Sequence, residues 1–272
     1  SPSLVLAPPL ASLTLREKIG QLLNVGFRGC HPAKCAVAVR DIREHGIGGV
    51  ILFDQDMTAG SAGRRNIESP GQLRDLLAHF QSQARIPLLT SIDQEGGRVN
   101  RLKAVYGFPE SRSHEELGLI DDSAITSRHA TTIAKTLAGV GLNLNLAPVV
   151  DLDAHPDNPI IKGKRRSFSA DPEAVARHAA DYIRAHRAQG VLTCLKHFPG
   201  HGDTGVDSHY DIPVINHNRT RLDSLELFPY TELIDKGLQG VMVAHLSIPS
   251  LDSTANLASS MSKPIVTGLL RD

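Results

Sequence analysis

Six short, nearly unbroken apolar runs constrain this chain more than any other feature: residues 22–27, 50–53, 86–92, 142–150, 190–195 and 240–245. A strand that faces water on one side alternates apolar and polar residues. A strand buried on both faces reads as a continuous apolar run. Helical segments separate the runs. Thr14 with Glu17 has the spacing of a capping box and opens a first helix. A second helix is expected around Val37–Glu44, and a third over Gly71–Ala84, where Leu73, Leu76, Leu77 and Phe80 recur at helical spacing. Others are expected over Ser123–Gly139, from Asp171-Pro172-Glu173 to Gln189 with proline in the first turn, over Leu222–Lys236, and from Lys263-Pro264-Ile265 onward. Residues 54–70 read as a polar loop, and no hairpin is evident. The alternation of strand and helix predicts an α/β fold with a parallel sheet covered by helices.

Two architectures satisfy that pattern, an open doubly wound sheet and a closed barrel. The G-x-G-x-x-G fingerprint of a dinucleotide fold is absent after the first run. Polar residues instead follow run after run: Asp93, Asp151, Lys196-His197 and His245. Functional loops gathered at the C-terminal ends of the strands are the habit of a TIM-type (β/α)8 barrel. About six βα units are present where a closed barrel needs eight, so the expected fold is an incomplete barrel with its last strands beyond residue 272.

The densest chemistry lies in Lys196-His197-Phe198-Pro199-Gly200-His201-Gly202-Asp203-Thr204-Gly205-Val206-Asp207-Ser208-His209, which follows the fifth apolar run. Two uses compete. The His and Asp residues can hold and move protons, since imidazole titrates near neutral pH. Alternatively His197, His201, Asp203, Asp207 and His209 could ligate a metal, because H-x3-H has zinc-like spacing. Pro199 and Gly200 argue against the helix that would bring His197 and His201 onto one face. The glycines at 200, 202 and 205 read as a hinge. His201 reads as a loop brace, Asp151 and Asp153 as loop caps, and Glu95 with Arg98 as a structural ion pair. Arg166 could belong to the charged surface run Lys162, Lys164, Arg165. His245 is left between a wall and a ligand role.

Composition excludes several classes. The chain carries 29 Lys+Arg against 29 Asp+Glu, so no basic excess points to nucleic acid. No apolar run is long enough for a membrane span. Three cysteines, Cys30, Cys35 and Cys194, make no disulfide framework, although Cys30 and Cys35 are close enough in sequence to pair across a loop. The first nine residues lack an initiator Met and a charged n-region, as a mature terminus after signal removal would, or an arbitrary boundary. Compartment is therefore open between cytoplasm and export.

Several segments resemble glycoside hydrolase family 3, in the β-N-acetylhexosaminidase branch of its N-terminal barrel domain. They are residues 15–22, Gly46-Ile47-Gly48-Gly49-Val50-Ile51-Leu52-Phe53, Ile92-Asp93-Gln94-Glu95-Gly96-Gly97-Arg98-Val99, Asn145-Leu146-Ala147-Pro148-Val149, Arg166-Ser167-Phe168 and, most specifically, the Lys196–His209 stretch. They occur in family order along nearly the whole chain, which implies one domain over residues 1–272, truncated at its C-terminal side. The resemblance implies that His209 is the general acid/base and Asp207 its partner. It implies substrate binding by Lys196, His197, Arg166, Asp93 and Arg101, with no cofactor and no metal.

The implied reaction is removal of a terminal N-acetylglucosamine from peptidoglycan fragments or chitin-like oligosaccharides, with retention of configuration. Retention needs a second carboxylate as nucleophile. The family places it after the seventh strand, and no Asp of this chain matches it. The chain alone is thus expected to bind sugar without turnover, and to expose two sheet edges that an additional C-terminal segment would cover. Some relatives use phosphate in place of water, and a His acid carries no negative charge to repel it. Two other readings stay open: a metal-dependent barrel hydrolase, and a catalytically dead sugar-binding module.

Overall fold

The computed structural model describes residues 8–56, 63–205 and 212–272. These residues form two compact units. The first comprises the chain to Gln94 with 101–110 and 135–145; the second comprises 95–100, 111–134 and 146–272.

The first unit is built on four parallel strands, β1 (Asn24–Gly26), β2 (Gly49–Leu52), β3 (Leu89–Ile92) and β4 (Leu144–Asn145). Val25 pairs with Val50, Val50 with Thr90, and Ser91 with Leu144. Val50, Leu52 and Ile92 are fully buried, as strands covered on both faces require. The close spacing of β2 and β3 explains one glycine: a Cβ at Gly49 would lie 2.7 Å from the Leu89 carbonyl oxygen. The helix Pro70–Gln83 begins where the Ser69 side chain accepts from the Gln72 N–H, with Pro70 in its first turn. It buries Leu73, Leu76, Leu77 and Phe80, the four positions its spacing selects. Phe80 meets Phe27 edge to face, 5.0 Å between centroids. Thr14 and Glu17 make both bonds of a capping box at the helix Leu15–Gln21. This helix leaves Leu15 and Ile19 exposed, and Leu22 after it.

The polar stretch after β2 is not wholly loop, for Gln55–Asp56 pairs antiparallel with Gly63–Arg64. The expected strand over 142–150 is cut to the two residues of β4. The Asn145 amide occupies both the N–H and the carbonyl of Gln94 (3.1 and 3.0 Å), and Pro148 has no N–H to continue the ladder. The second expected helix is shorter than read: an α turn over Ala36–Arg40 widens to a π turn over Asp41–His45 and stops at Gly46, whose φ of 59° suits glycine.

The second unit centres on β5 (Leu192–Phe198), paired in parallel with β6 (Gly240–Val243). On the other side of β5 the segment 147–150 runs alongside. The Cys194 N–H donates to the Ala147 oxygen (3.2 Å) and the Val150 N–H to the Lys196 oxygen (2.9 Å). The helix Pro172–Arg187 is capped by Asp171 and buries Val175, Ala179, Tyr182, Ile183 and His186 on one face. The single helix expected over 222–236 is two, Arg219–Ser224 and Phe228–Ile234. The ring of Pro229 would collide with the carbonyl of residue 225 in a continuous helix, so the chain breaks and restarts with proline in the first turn. A helix at His114–Ile120 was not anticipated, although Ser113 and Glu116 form the same capping box as Thr14 and Glu17. The last segment, Pro264–Leu269, is a π turn rather than an α-helix.

Three histidines pack in this unit's core. His114 stacks on Phe168 at 4.1 Å, and Phe168 stacks on His178 at 5.2 Å. Tyr182 stacks on His186 at 4.5 Å and meets His114 edge-on at 5.6 Å. Burial pushes both His114 and His186 down to about 4, so these rings are neutral and pack as apolar faces with polar edges. No helix among the described residues is long and apolar enough to cross a membrane.

Candidate functional site

The last residues of β5 open a chain of charged groups in the second unit. Glu95 is at its centre, with 2% of its surface exposed. Its two oxygens accept from Nε and Nη2 of Arg166, both at 2.8 Å, in a bidentate fork. Lys196 Nζ lies 2.6 Å from Glu95 Oε1. Arg166 and Lys196 are themselves 9% and 1% exposed. Burial alone would raise the Glu95 pKa, but the two cations hold it well below the usual carboxylate range.

The network continues through Arg166 to His197 and Asp151. Arg166 Nη2 is 3.2 Å from His197 Nε2, and His197 Nδ1 is 2.6 Å from Asp151 Oδ2. Arg can only donate, so His197 Nε2 must accept; Nδ1 therefore carries the proton and gives it to Asp151. This fixes the neutral Nδ1–H tautomer. Burial pushes the His197 pKa down, with Arg166 and Lys196 adding to it, and the opposing pull of Asp151 does not restore it. Asp151 Oδ1 also accepts the backbone N–H of His197 (3.2 Å) and of His201 (2.7 Å). Two cations, two carboxylates and a neutral imidazole leave the cluster without net charge.

Beyond His197 the stretch is held by packing. Gly200 has a φ of 144°, and a Cβ there would meet the Glu226 side chain at 2.8 Å. A Cβ at Gly202 would lie 2.0 Å from the Leu152 oxygen. Close approach accounts for both glycines, and of the three in this stretch Gly205 alone has open space around it. The Asn158 amide donates to the carbonyls of His201 and Gly202 (2.9 and 3.0 Å). His201 Nδ1 pairs with Thr204 Oγ1 at 2.7 Å, so His201 braces the loop as expected.

Of the residues singled out from sequence, Arg166, Lys196 and His197 come together around Glu95 and Asp151. Asp207 and His209 lie outside the described residues. Asp93 and Arg101 belong to the first unit. Asp93 is half-buried just past β3. The Arg101 guanidinium is 3.7 Å from buried Asp54 and 5.9 Å from the Phe53 ring centre, and the backbone N–H of Arg101 donates to Gln94 Oε1. Asp54 also binds Lys103 Nζ at 2.5 Å.

Three readings need correction. Glu95 does not pair with Arg98, whose Nη1 instead donates to the Gly163 oxygen (2.7 Å). Arg166 is a buried partner of Glu95 rather than part of the surface run. Asp151 is not a loop cap but the anchor of His197 and His201. Glu95 and Asp151 were missed as site residues because their partners lie 71 and 46 residues away. The one available signal was position, since each follows an apolar run. His245 Nδ1 is 2.6 Å from Ser260 Oγ.

Of the five residues of the alternative metal reading, Asp207 and His209 lie outside the described residues. Both ring nitrogens of His197 are engaged by Asp151 and Arg166. Asp203 groups instead with His217 and Glu226. Arg221 already reaches both carboxylates, at 2.9 and 3.4 Å.

Comparison with known proteins places this geometry. The glycosyl hydrolase family 3 N-terminal domain matches residues 14–272. Beta-hexosaminidase A of Pseudoalteromonas piscicida is 34% identical over 95% of this chain and 46% of its own length. Beta-hexosaminidase LpqI of Mycobacterium tuberculosis is 34% identical over 96% of the chain and 61% of its own. A family 3 β-N-acetylglucosaminidase from Paenibacillus superposes with a TM-score of 0.88 at 38% identity, over 96% of this chain and 47% of that one. NagZ of Neisseria gonorrhoeae superposes with a TM-score of 0.80 at 28% identity, over 92% of this chain and 69% of that one. The chain spans about half the length of Beta-hexosaminidase A and of the Paenibacillus enzyme. The likeness establishes the fold class as α/β, the parallel-stranded architecture of an incomplete TIM-type barrel. The chain belongs to glycoside hydrolase family 3, in its N-terminal domain.

Proposed function

We propose that residues 1–272 are the N-terminal barrel portion of a retaining exo-β-N-acetylglucosaminidase. It takes terminal N-acetylglucosamine from peptidoglycan fragments or chitin-like oligosaccharides. The observation that carries the substrate class is the charge balance of the Glu95–Arg166–Lys196–His197–Asp151 cluster. A cluster of rigid donors and acceptors with no net charge suits an uncharged ligand rich in hydroxyls, and suits a phosphate or carboxylate ligand poorly. The names of the relatives, hexosaminidases and β-N-acetylglucosaminidases, agree with it.

In this reading Glu95 holds Arg166 and Lys196 at one end of the sugar subsite, and Asp151 holds His197 in its neutral tautomer. Asp93 and Arg101, in the first unit, keep the substrate-binding role that the family resemblance implies. His209 protonates the glycosidic oxygen as the bond breaks, and Asp207 accepts the other ring N–H to steady the imidazolium before and after transfer. His209 then takes a proton from the water that releases the sugar. Glu95 and Asp151 are unsuited to the nucleophile's role. Glu95 is sequestered by two cations, and Asp151 already accepts three N–H groups. The attacking carboxylate is another one, on the opposite face of the ring.

The test is His209→Ala in the full-length protein. kcat on a disaccharide, a poor leaving group, should fall by 10²–10⁴-fold, and much less on a nitrophenyl N-acetylglucosaminide, which needs little protonation. Retained kcat on the disaccharide would remove His209 from the acid role.

A further inference from the structure

His114 borders the charge cluster, 1% exposed, and the mechanism gives it no task. It opens the helix His114–Ile120, with its ring stacked on Phe168 and edge-on to Tyr182. A phenylalanine would fill that place without taking a polar ring out of water. What the imidazole adds is one hydrogen bond. His114 Nδ1 lies 3.0 Å from the Arg166 backbone oxygen. A carbonyl can only accept, so Nδ1 carries the proton and donates it. Nε2 is buried and has no hydrogen-bond partner among the described residues.

The backbone that His114 grips is strained. Arg165 has a φ of 58°, in the left-handed region that residues with a Cβ seldom enter, and such a conformation persists only where its surroundings fix it. The first turn of the helix does so. The Glu115 N–H donates to the Arg165 oxygen at 3.4 Å, the Glu115 carboxylate accepts from Arg165 Nε, and His114 takes the next carbonyl. A Cβ at Gly118 would collide with the Phe168 oxygen, so the helix is seated directly on this backbone. Ser167 Oγ ties the same segment to the Asp151 oxygen at 2.7 Å.

We propose that His114 is a positioning residue of the sugar subsite: its donor fixes the backbone of Arg166, and so the place of the guanidinium that bonds Glu95 and His197. The proposal rests on the substrate-binding role of Arg166 in the function proposed above. Glu95 (2.8 Å, twice) and His197 (3.2 Å) hold the far end of the Arg166 side chain, and His114 holds the near end. A guanidinium is a rigid planar fork, so a shift of about an ångström at its backbone weakens every contact it makes.

The test separates the ring from the donor in the full-length protein. His114→Phe keeps the stacking on Phe168 and removes the donor. His114→Asn removes the ring, but its amide nitrogen can sit where Nδ1 does and keeps the donor. Both are assayed on a nitrophenyl N-acetylglucosaminide, and thermal unfolding ranks their stability. His114→Phe should raise KM about tenfold with kcat changed less than about threefold, as loss of an interaction made alike in the ground and transition states does. His114→Asn should keep KM within about threefold of the wild type although it unfolds at a lower temperature than His114→Phe. If His114→Phe does not fold, His114→Leu, which also lacks the donor, is read in its place. A KM that follows the unfolding temperature rather than the donor overturns the proposal, as does an unchanged KM in the variant without the donor. Arg166→Lys, which keeps the charge beside Glu95 and loses the fork, is the control. If it raises KM and His114→Phe does not, this inference alone falls. If it leaves KM unchanged, the role of Arg166 in sugar binding falls and takes the inference with it.

Discussion

Glu95 shows at the residue scale how a buried charge is tolerated. It is removed from water, yet Arg166 and Lys196 sit on its oxygens and meet the desolvation cost with direct contacts. Its removal is therefore worse than its absence would be in an apolar core. Glu95→Gln leaves two buried cations facing a neutral amide and should destabilise the fold by roughly 3–5 kcal/mol. Urea unfolding of the two proteins checks this; a difference below about 1 kcal/mol would show that the cations find other partners. The residue also marks what a sequence can and cannot reveal. Arg166, Lys196 and His197 could be named from their motifs, while their pairing depends on contacts across 71 and 46 residues that no local pattern encodes. Nearness in sequence suggested Arg98 for Glu95, and the fold chose Arg166.

The histidine-rich face around the helix Pro172–Arg187 carries a prediction at the scale of the element. His114 and His186, pushed down to about 4 by burial, stay neutral while the unfolded chain takes up protons near pH 6.5. Between those values the unfolded state binds more protons, so stability must fall as pH drops from about 6.5 towards 4. The lowered carboxylates Glu95 and Asp151 add losses in the same direction, beginning only at the lower end of that window. The urea midpoint should decline steadily from pH 7 to pH 5, and His186→Phe, which keeps a ring against Tyr182, should make the decline shallower. A midpoint that does not move over this range would contradict neutral burial of these rings. The elements themselves were largely legible. The helix Pro70–Gln83 and the helix Pro172–Arg187 follow from spacing and caps, within a residue or two. The failures have local causes, in Pro148 shortening a strand and Pro229 splitting a helix. The helix His114–Ile120 is a further omission, since its Ser113–Glu116 box is plain in the sequence.

For the whole molecule, a parallel α/β chain with polar residues after its strands was readable from apolar runs alone, and likeness to solved family 3 structures agrees with it. What patterns could not supply was the order of the charge cluster, because the identity of each partner is set by tertiary packing. The account's central claim is that a neutral polar subsite and a His acid/base serve retaining cleavage of a terminal N-acetylglucosamine. Proton NMR of the full-length protein acting on a β-linked N-acetylglucosaminide tests it most directly. The account predicts that the β-anomer of N-acetylglucosamine appears first and then mutarotates. First appearance of the α-anomer, or no release of the sugar, would contradict it.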